Sequence, residues 1–117
     1  MQIGEARQDG VIVITPAGRI DTTTAGALES RLASALTGAS PHLVVDLSAV
    51  DYISSAGLRV LLVAARRVQA TSGRLALCGM GHPVRQVSQL AGFLPLFTIT
   101  DTRDAAVAGL AAPPPGQ

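Results

Sequence analysis

The sequence DLSAVDYISSAGLRVLL, residues 46–62, contains the transition that decides the fold of this chain. It begins with the end of an apolar run, residues 43–47, and continues through a short polar connection. After Ser55 the apolar residues recur at spacings of three and four, which is the period of an amphipathic helix. The stretch therefore predicts a buried strand at residues 43–47, a loop, and a helix at residues 55–70.

Two adjacent serines, Ser54 and Ser55, stand where this helix should begin. A serine hydroxyl at a helix start can accept a hydrogen bond from one of the unpaired backbone N–H groups of the first turn. Such a cap needs only one serine. A hydroxyl exposed at the positive end of a helix is also a suitable place for a phosphate. The pair therefore predicts a helix cap and leaves a second hydroxyl available for modification.

Length and composition indicate one compact domain. A chain of 117 residues with 48% hydrophobic and 15% charged residues is long enough for one hydrophobic core and too short for a second. No apolar run approaches the ~20 residues that span a bilayer, and the N-terminal residues lack the basic and apolar regions of a signal peptide. We therefore expect a soluble protein of the cytoplasm with no membrane association.

The charged residues argue against nucleic-acid binding and against ATP hydrolysis. The net charge is +1, all nine basic residues are arginines spread along the chain, and the aromatic residues are only Tyr52, Phe93 and Phe97. A nucleic-acid-binding surface would need a basic patch with stacking aromatic rings. We therefore expect no direct contact with nucleic acid.

The chain contains no lysine at all. This absence excludes a P-loop lysine, a kinase-type phosphate-binding lysine and a Schiff-base lysine.

The rest of the chain alternates between strand and helix patterns. A hairpin turn at residues 9–10 is predicted between strands at residues 2–8 and 11–15, with Pro16 and Gly18 ending the second strand. The later elements are a helix at residues 24–37 capped by one of three threonines, the strand and helix described above, a strand at 74–78, a helix at 83–90, a strand at 97–100 and a helix from 101 or 102 to 112. This alternation predicts an α/β fold with a mainly parallel sheet and one antiparallel edge.

Parallel strands joined by right-handed crossovers end at one edge of a sheet, where open α/β sheets usually place functional groups. We therefore expect the loops that hold Asp21, the two serines Ser54 and Ser55, and residues 79–82 to gather at that edge. His42 precedes its strand and should lie at the opposite edge.

A serine hydrolase built on Ser55, His82 and Asp21 is a remote alternative. A nucleophile elbow needs a glycine two residues before the serine as well as two residues after it. Gly57 follows Ser55 at the required spacing, but Ile53 precedes it. The sequence therefore favours a binding or regulatory protein over an enzyme.

The sequence predicts no metal site and no cofactor. His42 and His82 are expected at opposite edges of the sheet, and the single cysteine, Cys78, should be a small buried hydrophobe at the end of a strand. Such a scattered set of residues cannot provide the ligands of a metal ion.

The segment at the predicted helix start resembles the signature of the STAS domain, in particular the bacterial anti-sigma factor antagonist family. That family has a strand ending in Asp-Leu, a short loop, and then (Asp or Ser)-Ser-(Ser, Thr or Ala)-Gly-Leu. Residues 46–47 and 54–58 of this chain read DL and SSAGL. The opening hairpin, the GRID turn at residues 18–21 and the PVR helix start at residues 83–85 also fit, so the likeness covers about residues 3–112.

The resemblance implies a small single-domain STAS fold over residues 1–112. The Pro-rich residues 113–117 cannot continue a helix, and we expect them to form a flexible tail. In that fold a mainly parallel sheet of four to five strands, in nearly sequential order, has an N-terminal antiparallel hairpin strand. About four helices are wound on one side of the sheet.

The resemblance also implies a function. In that family the serine before the (Ser, Thr or Ala)-Gly-Leu triplet, here Ser55, is phosphorylated by a partner that is both a serine kinase and an anti-sigma factor. The unphosphorylated antagonist binds this partner and frees the sigma factor. The phosphorylated antagonist lets go, and a PP2C-type phosphatase resets it. Ser54, where relatives can carry aspartate, offers an alternative phosphoacceptor.

The partner-binding surface implied by the resemblance surrounds that serine. It comprises Asp21, Thr22, Ser54, Ser55, Ala56, Gly57, Leu58 and Arg59. Asp21 matches a loop aspartate of the family and fits equally well as a turn or cap residue. STAS domains also serve as accessory subunits of transporters or signalling scaffolds, where the serine would only cap a helix, and that alternative stays open. The sequence does not predict the oligomeric state.

Overall fold

The computed structural model describes residues 2–36, 42–71, 73–90 and 97–111. The elements are β1 (Gln2–Gln8), β2 (Val11–Ile20), α1 (Ala25–Leu36), β3 (His42–Asp46), β4 (Val50–Ile53), α2 (Ser55–Ala70), β5 (Arg74–Cys78), α3 (His82–Leu90), β6 (Thr98–Thr100) and α4 (Arg103–Ala111). The expected α/β class is confirmed, and so are the four helices. The proposed tail lies outside the described residues.

The strands form one mixed sheet in the order β1-β2-β3-β5-β6, with β4 paired to the far end of β2. Only the β1–β2 pair is antiparallel among the described pairings. Its two-residue turn places Asp9 at φ 52° and Gly10 at φ 79°, the left-handed geometry that a tight hairpin requires. The nearly sequential strand order and the antiparallel first strand therefore match the expectation.

The prediction that β2 ends at Pro16 and Gly18 is wrong, because β2 changes partner there instead of stopping. Residues 12–14 pair with β3, whereas residues 18–20 pair with β4. Pro16 falls between these two pairings, and Gly18, at φ 98°, lies where the register shifts. The left-handed glycine lets the strand bend toward its second partner.

The connection between β3 and α2 also contains more structure than predicted. A turn at residues 48–49 is followed by β4, a four-residue strand with buried Val50 and Ile53 at its ends. This strand raises the number of strands in the described part of the chain to six, above the four to five expected. Its pairing with β2 fixes the backbone that leads directly into α2.

Helices cover both faces of the sheet, so the expectation of helices on one side is corrected. Alternate residues of a strand point to opposite faces. One face packs with α1, α2 and the start of α3 through residues that include Ile14, Val45 and Leu77. The other face packs against α4 in a cluster of Val11, Val13, Val44, Ala76, Cys78, Ala106, Val107 and Leu110. The central strands are apolar on both faces, and each face therefore needs a cover.

No helix of the described ranges is both long enough and apolar enough to cross a membrane.

Candidate functional site at the start of α2

The ends of β2 and β4 bring two of the predicted loops together. Ile20 and Ile53 pair across the two parallel strands, and the Ser54 N–H donates a hydrogen bond to the Ile20 carbonyl at 2.8 Å. Asp21 follows the first strand and Ser54 follows the second. These two loops therefore meet at one sheet edge, as predicted.

The other predicted positions agree with this arrangement. The loop at residues 79–81 follows the end of β5 and so lies at the same edge of the sheet as the ends of β2 and β4. His42 begins β3 and pairs with the start of β5, which places it at the opposite edge.

Ser54 is the cap of α2. Its backbone is extended, at φ −90° and ψ 172°, and its side-chain oxygen accepts a hydrogen bond from the Gly57 N–H at 3.3 Å. This bond satisfies one of the donors that a helix start leaves unpaired. The half-buried Ser54 hydroxyl is thus engaged by the fold, which confirms the predicted serine cap and assigns it to Ser54.

Ser55 has a different environment, although it is the next residue. It is the first residue of α2 and is exposed, and no side-chain hydrogen bond to its hydroxyl occurs in the part of the chain that the structure describes. The first turn of α2 carries no acidic residue. A helix start favours negative charge, so an anionic group on this hydroxyl would be accommodated by the helix.

Gly57 and Leu58 face the interior, although the resemblance places them in the partner-binding surface. A Cβ atom on Gly57 would lie 2.5 Å from Cγ2 of Ile20 and 2.8 Å from Cγ1 of Ile53. Leu58 is only 1% exposed. These two residues seat the helix on the sheet, and they offer no exposed side chain to a partner.

Asp21 organises the turn before α1. Its Oδ1 atom accepts hydrogen bonds from the Thr23 hydroxyl at 2.7 Å and from the Thr23 N–H at 3.0 Å. These bonds, the hydroxyl bond first, lower the pKa of the Asp21 carboxyl below its ordinary value. The Asp21 carbonyl also accepts from the Ala25 N–H at 2.8 Å. The interpretation of Asp21 as a turn residue therefore has direct structural support.

One of three threonines was predicted to cap α1 with its side chain, and the hydrogen bonds of Thr24 in this turn correct that prediction. The Thr24 hydroxyl accepts from the Asp21 N–H at 2.9 Å and donates to the Arg19 carbonyl at 2.8 Å, so it bonds back toward β2. It fastens the turn to the end of the strand.

The residues of the hydrolase alternative are not joined. The Asp21 carboxylate is held by Thr23, and no hydrogen bond links Ser55, His82 and Asp21 within the described ranges.

Arg19, near the end of β2, contacts both Tyr52 and Asp21 at this edge. Its guanidinium carbon lies 4.4 Å from the centre of the Tyr52 ring, within the range of a cation–π contact. Its Nε atom is 3.9 Å from the Asp21 carboxylate. Because the Arg19 side chain is 63% exposed, this ion pair is screened by water and contributes little to stability.

An open groove of about 730 Å³ lies between α1 and α2, next to Ser55. We call it the α1–α2 groove, and it is lined by Ala25, Glu29, Ser55, Ala56, Arg59, Leu62 and Arg66. Its wall thus combines one acidic side chain, two arginines and several small or aliphatic side chains. Such a surface can receive a polypeptide segment that carries both charge and apolar side chains.

Asp46, the last residue of β3, has a structural role that the sequence did not reveal. Its buried carboxylate accepts from the Ser48 N–H at 3.0 Å and from Arg103 Nε at 3.2 Å, and Arg103 Nη2 donates to the Thr15 hydroxyl at 3.0 Å. A Cβ on Gly79 would lie 2.9 Å from Asp46 Oδ1, so glycine is required beside it. Asp46 therefore links the start of α4 to the sheet.

Cys78 is fully buried, as predicted for a small hydrophobe. Burial, together with the nearby charge of Asp46, raises the pKa of its thiol to about 12. The thiol is therefore protonated and unreactive at neutral pH. Across the described part of the chain, no group of three or more His, Cys, Asp or Glu residues is placed to hold a metal ion.

The model of the STAS domain matches residues 4–106 of this chain. The chain belongs to the STAS domain family. The family resemblance of residues 46–62 is thus confirmed, and the match extends from β1 into α4. The first and last residues of the matched region both lie in the described ranges, and the gaps between those ranges fall inside the matched region.

Similar proteins come from several bacteria. This STAS domain is 36% identical over 108 residues, 92% of its length and 93% of the relative, to BtrV of Bordetella bronchiseptica, whose name assigns it provisionally to the anti-sigma factor antagonists. It is 30% identical over 105 residues, 90% of its length and 85% of the relative, to the anti-sigma-F factor antagonist RsfB of Mycobacterium tuberculosis. The crystal structure of an anti-sigma factor antagonist from Mycobacterium paratuberculosis superimposes with a TM-score of 0.87 at 30% identity, covering 95% of this chain and 94% of that one.

Proposed function

We propose that this STAS domain is an anti-sigma factor antagonist that is switched by phosphorylation of Ser55. In the unphosphorylated form it binds a partner that is both an anti-sigma factor and a serine kinase, and it thereby frees a sigma factor in the cytoplasm. The named relatives support the general role. The observation that carries the switch is the contrast between the two serines. Ser54 is engaged as a helix cap, whereas the Ser55 hydroxyl is exposed.

The proposed modification is a phosphoryl transfer and its reversal. The γ-phosphoryl group of ATP moves to Oγ of Ser55, the hydroxyl proton passes to a base of the kinase, and ADP leaves. A PP2C-type phosphatase hydrolyses the phosphate ester with water, which returns the serine hydroxyl and releases inorganic phosphate. In both steps this chain is the substrate, and the partners supply the active sites.

Phosphorylation adds roughly −1.5 to −2 charges at neutral pH. At the first residue of α2 that charge meets the positive end of the helix dipole, so the phosphorylated domain should remain folded. The effect is instead on binding, since bulk and charge appear in the middle of the proposed interface. A loss of about 3 kcal/mol in binding free energy weakens binding more than a hundredfold, which suffices for a switch.

The surface proposed for the partner is narrower than the sequence implied. Its exposed or half-buried members are Asp21, Thr22, Ser54, Ser55, Ala56 and Arg59, and the α1–α2 groove extends it along α2. Gly57 and Leu58 support this surface from below.

The test is incubation of the chain with a cognate kinase and ATP, followed by mass spectrometry of its peptides. We expect one phosphate on Ser55, none on the Ser55→Ala variant, and continued binding of that variant to the kinase in the presence of ATP. Ser55→Asp should bind poorly. The matched variant Ser54→Ala loses its cap, about 1 kcal/mol of stability, but should still be phosphorylated.

Two outcomes would count against the proposal. Equal phosphorylation of Ser55→Ala and the wild type would place the site elsewhere, with Ser54 the first candidate. A chain that is never phosphorylated and that binds its partner regardless of ATP would fit the accessory-subunit role instead.

A further inference from the structure

We propose that Arg59 binds the phosphate on Ser55 and so acts as the residue of this chain that responds to phosphorylation. The inference rests on the proposed function, because it concerns the phosphorylated form. It assigns a role to a charged side chain that makes no ion pair with another residue of the described ranges.

The two residues are placed to meet. Ser55 and Arg59 are four residues apart in α2, a spacing that puts side chains on one helix face with Cβ atoms about 5–6 Å apart. Side chains of a helix lean toward its N-terminus, so the long Arg59 side chain extends back toward the first turn. Both residues line the α1–α2 groove. A phosphate on Ser55 would therefore project into the space that the Arg59 guanidinium can reach.

Arg59 is also available for such a partner. It is exposed, and its side chain takes part in no ion pair or hydrogen bond within the described ranges. Several other arginines do have carboxylate partners: Arg19 with Asp21, Arg31 with Glu5, and Arg103 with Asp46. A phosphate dianion that binds Arg59 would therefore break no ion pair that this arginine makes within the described ranges.

The pairing would change the surface in two ways. The phosphate adds negative charge, and it also occupies the guanidinium that would otherwise be free to bind a carboxylate of the partner. A guanidinium can hold two oxygens of one phosphate through parallel N–H donors, which makes it a specific phosphate partner. Glu29 lines the same groove, and phosphate capture by Arg59 would leave this carboxylate as a second negative group facing the partner.

The experiment measures the second pKa of the phosphate by phosphorus NMR, on full-length chain with phosphoserine encoded at position 55. A nearby guanidinium favours the dianion and so lowers this pKa. We expect Arg59→Gln to raise it by about half a pH unit, and Arg59→Lys, which keeps the charge, to stay near the wild-type value.

Arg66→Gln is the matched control. Arg66 lines the same groove on the same helix, and its substitution by glutamine removes the same charge as Arg59→Gln. Arg66, however, lies eleven residues after Ser55, roughly 16 Å along the helix axis. Its substitution should leave the phosphate pKa nearly unchanged. A shift of equal size in the Arg59→Gln and Arg66→Gln variants, or no shift in either, would overturn the pairing.

The failure of this inference is distinguishable from failure of the proposed function. Because phosphoserine is installed during synthesis, the titration needs no kinase. A kinase that leaves Ser55 unmodified counts against the proposed function alone, whereas an unshifted phosphate pKa counts against the Arg59 pairing alone.

Discussion

The residues that follow the two serines at the start of α2 set how close the helix can approach the sheet. Gly57 leaves no room for a Cβ atom beside Ile20 and Ile53, and Leu58 is buried in the same core. The Gly-Leu pair of the family signature is therefore explained by packing in this chain. It holds Ser54 and Ser55 at the surface by drawing Gly57 and Leu58 inward.

This packing predicts a large effect of adding one methyl group. Gly57→Ala should lower the free energy of unfolding by roughly 1–3 kcal/mol, because the new Cβ overlaps two isoleucine side chains. Gly26→Ala is the matched control, since apart from its chain neighbours and the backbone of α1 no described atom lies within 4 Å of its ideal Cβ position. There the better helix propensity of alanine should increase stability by up to about 1 kcal/mol. Urea unfolding followed by circular dichroism measures both, and equal changes would refute the close contact.

At the scale of the elements, the link between α4 and the sheet is the feature that connects distant parts of the chain. Arg103, at the start of α4, binds Asp46 of β3 and Thr15 of β2. Burial by itself raises the pKa of the Asp46 carboxyl, but hydrogen bonds from Ser48 and from Arg103 outweigh burial and lower it below the ordinary 3.8. The stability that this carboxylate contributes is therefore fully present above pH 3.8. It is lost as the pH falls through the lower pKa of the folded state.

Arg103→Gln should make this link measurable. At pH 7 we expect it to lower the free energy of unfolding by about 1–2 kcal/mol, because Asp46 stays buried with fewer hydrogen bonds. The loss should shrink as the pH falls from 3.8 through the lowered pKa of Asp46 in the folded state, because the protonated carboxyl no longer attracts the guanidinium. Arg7→Gln, at an exposed position of β1, is the control and should change stability little at either pH. A loss of the same size at pH 7 and pH 3 would contradict the role of the Asp46 charge.

The elements also show what local sequence can predict. The α2 helix was predicted with its observed bounds, because its apolar period and serine cap are both local signals. The strand β4 was missed, since its four residues include polar side chains and its pairing partner is the distant end of β2. The position of α4 on the second face could have been inferred from the continuous apolar runs of β2 and β3. The Asp46–Arg103 contact joins residues far apart in sequence, and no local pattern indicates it.

At the scale of the whole molecule, the two faces of the sheet have separate tasks. The face covered by α1 and α2 carries Ser55 and the α1–α2 groove, whereas α4 packs on the opposite face and is tied down by Arg103. The proposed partner therefore meets one side of the domain. Because the sheet is packed on both faces, we expect the Ser55 surface to keep its backbone structure on phosphorylation, and the proposed switch would then act through charge at that surface.

The most direct test of the proposed switch is the dissociation constant between the anti-sigma factor kinase and this chain, measured separately for the unphosphorylated and the Ser55-phosphorylated form. A kinase without ATP serves as the binding partner in both measurements, and a phosphorylated sample treated with phosphatase is the control. We predict binding more than about a hundredfold weaker for the phosphorylated chain, with full recovery after phosphatase treatment. Dissociation constants that agree within about twofold would contradict the phosphorylation switch.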